Sequence, residues 1–307
     1  MAENPFHDGE RAAQARAGVS SYGAGIRTFM PDQHRSFFAG LPWLFAGLVN
    51  PQGWPLATVL TGEPGFASSP IATTLSVRSL PAADDPAGIA LRPGAPIGLL
   101  GIEFETRRRN RANGMVTARD ARGFDVSVSQ SFGNCAKYIQ IRHRLGARPG
   151  EPGAIEPLAG LDDAARTMIA QADTLFIATA TPAGHAGGGV DMSHRGGRTG
   201  FVRLDGETLT IPDFAGNRYF NTFGNLLLEP RAALLFVDFA TGTTLQLQGV
   251  TEIIWSGDDV LRLDGAERLW RFHVERGWRR PHALPLRWSE PEFAPTTLET
   301  GLWRAAA

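Results

Sequence analysis

Leu99-Leu100-Gly101-Ile102-Glu103-Phe104 is answered 135 positions later by Leu234-Leu235-Phe236-Val237-Asp238-Phe239. The echo runs without a gap to Gly114 and Gly249, and at the same offset Gly65-Phe66 meets Gly200-Phe201. One residue less aligns Thr74-Leu75-Ser76-Val77 with Thr208-Leu209-Thr210-Ile211. Upstream the offset is 131: Leu44-Phe45 meets Leu175-Phe176, Pro51 meets Pro182, and Gly53 meets Gly184. The change in offset marks a four-residue insertion near Gly184–Gly189. Gaps confined to glycine-rich turns are what a duplicated domain leaves behind. The 307 residues therefore divide into two copies of one unit.

Each copy opens with a helical segment. In the first, Pro31 suits a first helical turn and Phe37-Phe38 supplies an apolar stripe. In the second, Asp162 is the expected N-cap of a helix through Ile169. Strands follow at 43–49 and 174–180, then Pro-x-Gly turns, then further short strands at 200–204, 207–211, 233–239 and 243–254. Gly206 marks a tight hairpin. Many short strands with few helices predict a mainly β fold: two small antiparallel barrels, each closed by a helix. The expected divisions are a loosely held N-terminal arm over 1–20, a first barrel over 21–147 and a second over 158–307. The Pro/Gly-dense stretch 146–157 would link the barrels. Trp270, Trp278, Trp288 and Trp303 are expected to pack the second barrel and its edge.

Composition narrows the function. A net charge of −1 exerts no global pull toward nucleic acid or an anionic membrane. No apolar run approaches the roughly 20 residues of a membrane span. The start, Met1 to Arg11, lacks a basic segment followed by an apolar one, so no signal peptide is expected and cytoplasmic residence is the default. The single cysteine, Cys135, excludes an internal disulfide and a multi-cysteine zinc site. The seven histidines show no H-E-x-x-H spacing, so no metal site is expected. Walker A and strand–GxGxxG–helix patterns are missing. Of the 30 basic residues only Lys137 is a lysine, so an anion here must be held by arginine, backbone amides or hydroxyls.

Pro230-Arg231-Ala232-Ala233-Leu234-Leu235-Phe236 closely resembles a strand of the pyridoxamine 5′-phosphate oxidase family, where it follows the helix that approaches the FMN phosphate. Asp191-Met192-Ser193-His194-Arg195-Gly196-Gly197 and Ile211-Pro212-Asp213-Phe214-Ala215-Gly216-Asn217 resemble signatures of a tandem subgroup of that family. The resemblance covers 30–145 and 160–290, once per half. It implies two tandem FMN-binding split barrels, FMN as cofactor, and an FMN-dependent oxidoreductase acting on a small-molecule substrate. NAD(P)H or a reductase would supply electrons, and a homodimer is expected. The family fold also hosts haem-degrading members, so a non-catalytic flavin- or haem-binding carrier is the alternative. One departure bears on the reaction. Where the oxidase has Ser-Arg-Lys, this chain has Phe220-Asn221-Thr222, which puts vitamin B6 oxidation itself in doubt.

The candidate cofactor residues fall in four groups. Ser193, His194 and Arg195 combine a hydroxyl, a ring and a cation beside two glycines. Asn217, Arg218, Asn221 and Thr222 lie where a loop becomes a helix, a place suited to an anion. In Arg107-Arg108-Arg109-Asn110-Arg111 the strand period puts Arg107, Arg109 and Arg111 on one face. The repeat aligns Arg109 and Arg111 with Thr244 and Gln246, making that face the outward one, able to bind an anion or to meet carboxylates of the other half, and Gln246 is a cofactor candidate on the same ground. Asn134 and Lys137 are polar candidates in the segment that also holds Cys135, for which no activating base is visible. No catalytic residue can be named. In the first half the counterpart of Asp191–Arg195 is Leu56-Ala57-Thr58-Val59-Leu60, which has no charge and cannot anchor a phosphate in the same way.

Overall fold

The computed structural model describes residues 4–303 except 22 and 24. In the first half the strands are β1 (Trp43–Val49), β2 (Pro55–Thr61), β3 (Ala67–Ser68), β4 (Thr74–Val77), β5 (Pro96–Glu103), β6 (Arg108–Arg119) and β7 (Phe124–Asn134). They form one antiparallel sheet in the order β2-β1-β5-β6-β7-β4-β3. Two short strands follow, β8 (Arg144–Ala147) and β9 (Glu156–Leu158). The second half contains β10 (Thr174–Ala180), β11 (Val190–Gly196), β12 (Arg203–Asp205), β13 (Thr208–Phe214), β14 (Arg231–Val237), β15 (Thr244–Ile254) and β16 (Ala266–Arg280), then β17 (Leu286–Trp288). Its sheet runs β11-β10-β14-β15-β16-β13-β12, the same order strand for strand, with β9 added on β16. Even the slip in register recurs, between Asn113 and Gly114 in β6 and between Gln248 and Gly249 in β15. The duplication read from the sequence is a duplicated split-barrel topology.

The repeated stretch explains how the halves meet. Side chains alternate across a strand. Leu99 enters the first barrel's core and Leu234 the second's, whereas Leu100, Ile102, Leu235 and Val237 enter a third cluster between the barrels. Strands β1 and β10 do the same, and so are buried on both faces, β1 as an unbroken apolar run and β10 with Thr174 and Thr179 among its apolar residues. Phe45 stacks on Phe176, its own repeat equivalent, with ring centroids 3.6 Å apart. Equivalent residues touching each other mark a pseudo-twofold axis, so the seam is isologous like that of a symmetric dimer.

Helix α2 (Asp32–Gly40) lies over the first barrel and buries Phe37 and Phe38. Helix α3 (Asp163–Gln171) begins at Asp162, whose carboxylate accepts from the Ala165 amide at 2.8 Å, as expected. Helix α4 (Asn221–Leu228) precedes β14. The N-terminal arm differs from its expected loose state. Residues Asp8–Arg16 form α1, which packs on α4 with Phe6 and Ala13 buried. The contact is possible because the helices cross at two glycines: a Cβ on Gly224 would lie 2.6 Å from Glu10 backbone, and one on Gly9 2.4 Å from the Gly224 carbonyl. The arm's first three residues lie outside the described ones.

The stretch 146–157 is also more ordered than a linker, since Gly146 and Ala147 pair with β17 and Glu156 and Pro157 pair with β16. Trp288 stacks on Trp43 of the first half at 4.4 Å instead of packing the second barrel. Strand β17 thereby lies over the seam. No described helix is long and apolar enough to cross a membrane.

Candidate functional site at the barrel seam

Strand β11 presents Asp191, Ser193 and Arg195 toward β6 of the first barrel, which presents Arg109, Arg111 and Asn113. Outward from its own barrel, the arginine row is inward to the molecule. Arg111 is buried, donating to Asp191 Oδ1 at 3.0 Å, to Asn221 Oδ1 at 3.4 Å and to Ser193 Oγ. Ser193 Oγ lies 2.9 Å from Thr222 Oγ1, at the start of α4. Asp191 also accepts from Asn113 at 2.8 Å and from Asn225 at 2.9 Å, so this buried carboxylate is fully partnered. Removing water from such a pair is costly unless geometry repays it, and here three donors do so. Contact with a carboxylate of the other half, one of the two roles expected of the row, is made by Arg111.

Arg109 crosses the seam as well, donating to the Cys135 carbonyl at 3.0 Å and to His194 Nδ1 at 2.8 Å. Burial, foremost, and the nearby Arg111 and Arg195 charges draw its pKa down to about 10, which leaves it charged at neutral pH. Burial, followed by the charges of Arg109, Arg195 and Arg142, holds the His194 imidazole well below its ordinary range. His194 is therefore neutral, and because a guanidinium only donates, its Nδ1 is the acceptor and Nε2 carries the proton. Arg195 is half-buried, 3.6 Å from Asp213. Asp213 is also ion-paired with Arg268; burial raises its pKa against the pull of the two arginines.

Arg111 Nε, Arg195 Nε, His194 Nε2 and Asn134 Nδ2 are buried without a hydrogen-bond partner among the described residues. All four are donors. They border two small connected clefts of about 60 and 50 Å³, the first reaching Thr222 and Arg268, the second Arg109, Asn134 and His194. The clefts share Arg111, Arg195 and Asn217. Asn217 donates across the seam to Asn134 Oδ1 at 3.0 Å. Arg218 is exposed, and both it and Phe220 adopt left-handed backbone, at φ 61° and 62°. Such conformations cost about 1–3 kcal/mol in a non-glycine residue and cluster at ligand clamps.

Three sequence expectations find no place here. Arg107 sits in the turn before β6, at φ 55°, off the row. Lys137 is exposed and lines neither cleft. Gln246 lies at the pseudo-symmetric position, where its amide donates to Asp85 Oδ2 at 3.1 Å and Thr58 donates to the same oxygen at 2.7 Å. A twofold carries equivalent residues to opposite ends of the seam, so Gln246 cannot join Arg111. There the protein's own carboxylate occupies the anion position.

Sequence reasoning missed His7, Glu10 and Asn225. Glu10 reaches from α1 to Asn221 and to the His7 amide, and burial, reinforced by Asp191, pushes its pKa up to about 8. These groups, with Asn113 and Asp191, line a separate cavity of about 290 Å³. The signal for Glu10 was its place three residues after His7 at a helix start.

A family model described as pyridoxamine 5′-phosphate oxidase matches residues 161–282. The match lies wholly in the second half of the chain, which is similar to that family. Ser193, His194, Arg195, Asn217, Asn221 and Thr222 all lie within that half, while Arg109, Arg111 and Asn134 come from the first half. Among solved structures, HupZ from Group A Streptococcus is 18% identical over 38% of this chain and 91% of its own, with a TM-score of 0.31. A protein related to general stress protein 26, of the pyridoxinephosphate oxidase family, from Clostridium acetobutylicum is 14% identical over 41% and 92%, at 0.28. HutZ, the heme storage protein from Vibrio cholerae, is 16% identical over 39% and 93%, at 0.26. No curated protein matches the sequence.

For the FMN this family implies, the all-donor set of unpartnered nitrogens fits the phosphate. Cofactor sites occupy roughly 300–1,000 Å³, so the clefts accommodate the anionic end with the 214–220 segment in its present position.

Proposed function

We propose that this protein is an FMN-dependent oxidoreductase with one cofactor site per chain, at the seam between Arg109–Arg111 and Ser193–Arg195. The observation that carries the proposal is the convergence of four buried, unpartnered donors on one seam, beside Thr222 at a helix start. Bound there, FMN would supply the redox chemistry. Arg111 and Arg195 would hold the phosphate with charge-assisted bonds, and Ser193 and Thr222 would add hydroxyl donors. His194 Nε2–H is a neutral donor suited to an acceptor on the cofactor. The 214–220 segment, with Arg218 and Phe220 in left-handed backbone, would move outward to admit the ring. Every residue comes from one chain, so association of two chains would not be needed to complete the site. Electrons would arrive from NAD(P)H or a reductase that binds transiently.

The carrier alternative in its haem form needs an imidazole nitrogen free to ligate iron. At His194 one nitrogen accepts from Arg109 and the other carries a proton, so this residue favours an anion or flavin contact.

Titration of the full chain with FMN, followed by flavin fluorescence quenching, tests the proposal. Saturation at one equivalent is expected, with riboflavin binding at least tenfold more weakly for want of the phosphate. Arg195→Ala should weaken FMN 10- to 100-fold, the effect of about 1.5–3 kcal/mol for a hydrogen bond to a charged group. An absence of quenching with FMN, or equal affinity for riboflavin, refutes it.

A further inference from the structure

On the far side of Asp191 from the arginines, the N-terminal helix and the β10–β11 turn bring two imidazoles and a carboxylate together. His7, Asp8 and His185 each offer one ligand atom, and the three atoms lie within 4.8 Å of one another. His185 Nε2 donates a hydrogen bond to Asp8 Oδ1 at 2.7 Å, a proton that a bound ion would displace, and His7 Nδ1 is 3.9 Å from the same oxygen. We propose that His7 Nδ1, His185 Nε2 and Asp8 Oδ1 form a site for a divalent transition-metal ion of the zinc class, which ties α1 to the second barrel.

Hydrogen bonding decides which His7 nitrogen is available. Asn225 Nδ2 donates to Asp191 Oδ2 at 2.9 Å and to Thr179 Oγ1 at 3.1 Å, which fixes the amide orientation. Asn225 Oδ1 therefore faces His7 Nε2, 3.1 Å away, and as an oxygen it can only accept. Nε2 must carry the proton, so Nδ1 keeps its lone pair. That Nδ1 is buried in a side chain 4% exposed, and it makes no full hydrogen bond among the described residues; the Glu10 amide at the helix start faces it only in a loose capping contact that an ion would replace. A carboxylate completes the arrangement, Glu10 Oε2 lying 3.5 Å from Nε2. Metal-bound histidines are commonly oriented in this way, through the nitrogen that does not touch the ion.

The donor set selects the ion. Two imidazole nitrogens and one carboxylate oxygen suit Zn²⁺, Co²⁺ or Ni²⁺, whereas Ca²⁺ and Mg²⁺ take oxygen ligands. Ligands about 2.0–2.1 Å from a tetrahedral ion stand roughly 3.3 Å apart. Two of the three present separations, 2.7 and 3.9 Å, bracket that value, and the third lies within 4.8 Å. Asp8 is largely exposed and His185 partly so, leaving both side chains room to adjust. A fourth coordination position would face solvent. The expectation of no metal site rested on spacing along the chain, and His7 and His185 are joined only by the fold.

The test uses the full chain stripped with a chelator, titrated with Co²⁺ by visible absorption and with Zn²⁺ by calorimetry. One equivalent should bind with Kd below about 10 μM, and cobalt should develop a tetrahedral d–d band. His185→Ala, in a surface turn, and Asp8→Asn should each weaken binding at least tenfold. His143→Ala should not, although His143 stands beside Glu105 and Glu292. No saturable signal up to 1 mM metal, affinity unchanged in His185→Ala, or an equal loss in His143→Ala overturns the proposal. FMN titration is a separate readout, so failure here leaves the flavin reading intact, and the reverse holds.

Discussion

Arg111 on β6 and Arg195 on β11 would share the phosphate, but the protein holds the two side chains differently. Arg111 is locked to Asp191 inside the protein, so Arg111→Ala leaves a carboxylate buried without its charge partner. The expected cost is about 3–5 kcal/mol of stability, read as a lowered denaturant midpoint. Arg195 is half-exposed and only loosely held by Asp213, so Arg195→Ala should lose cofactor affinity with little change in melting temperature. The arginines, the serine and the glycine loop were legible because charge in a strand and glycines beside a cation are local features. His7 and Glu10 were not legible, because their partners Asn225 and Asn221 lie more than two hundred residues away. Gln246 was misplaced for a different reason: alignment of the repeat identifies the correct face, while the symmetry axis decides which end of the seam that face serves.

At the scale of elements, the crossing of α1 over α4 is set by the absence of side chains. Gly224→Ala should push α1 away and cost about 1–3 kcal/mol, an overpacking effect. Faster amide exchange across residues 8–16 than in the barrels would be its signature. The arm had read as loose because DGERAAQAR offers only alanines as an apolar face, and alanines suffice only where a glycine lets the backbones approach. The α3 cap was legible. Its removal in Asp162→Ala should cost about 1 kcal/mol. The Ala165 amide, first, and Arg279 depress the Asp162 pKa, so the carboxylate's contribution is complete above about pH 4. It fades as pH falls through the lowered folded-state value. Asp162→Ala should therefore converge with the parent protein in acid, as thermal melts between pH 6 and 3 would show.

For the whole molecule, the seam binds the two barrels into one folding unit. Phe176→Ala opens a hole against Phe45 on the pseudo-axis and should cost about 3–5 kcal/mol. The loss should fall on both halves at once, in a single calorimetric transition. That the two barrels share one topology was readable from the repeat; that they meet through the repeated stretch itself was not, since an apolar run does not say what covers its second face. The seam has two ends, and Asp85 closes one of them. Two identical subunits must carry any substitution at both sites, because one gene writes both. Fusion removes that bond between the sites, and a copy can give up its ligand and turn the freed position into internal glue. The first half would then be a partner that keeps its share of one site and has closed the other. Replacing Asp85 with serine and Gln246 with arginine would return a vacant, positively charged position to that end, and the doubly substituted chain would be the one to titrate for a second equivalent of FMN.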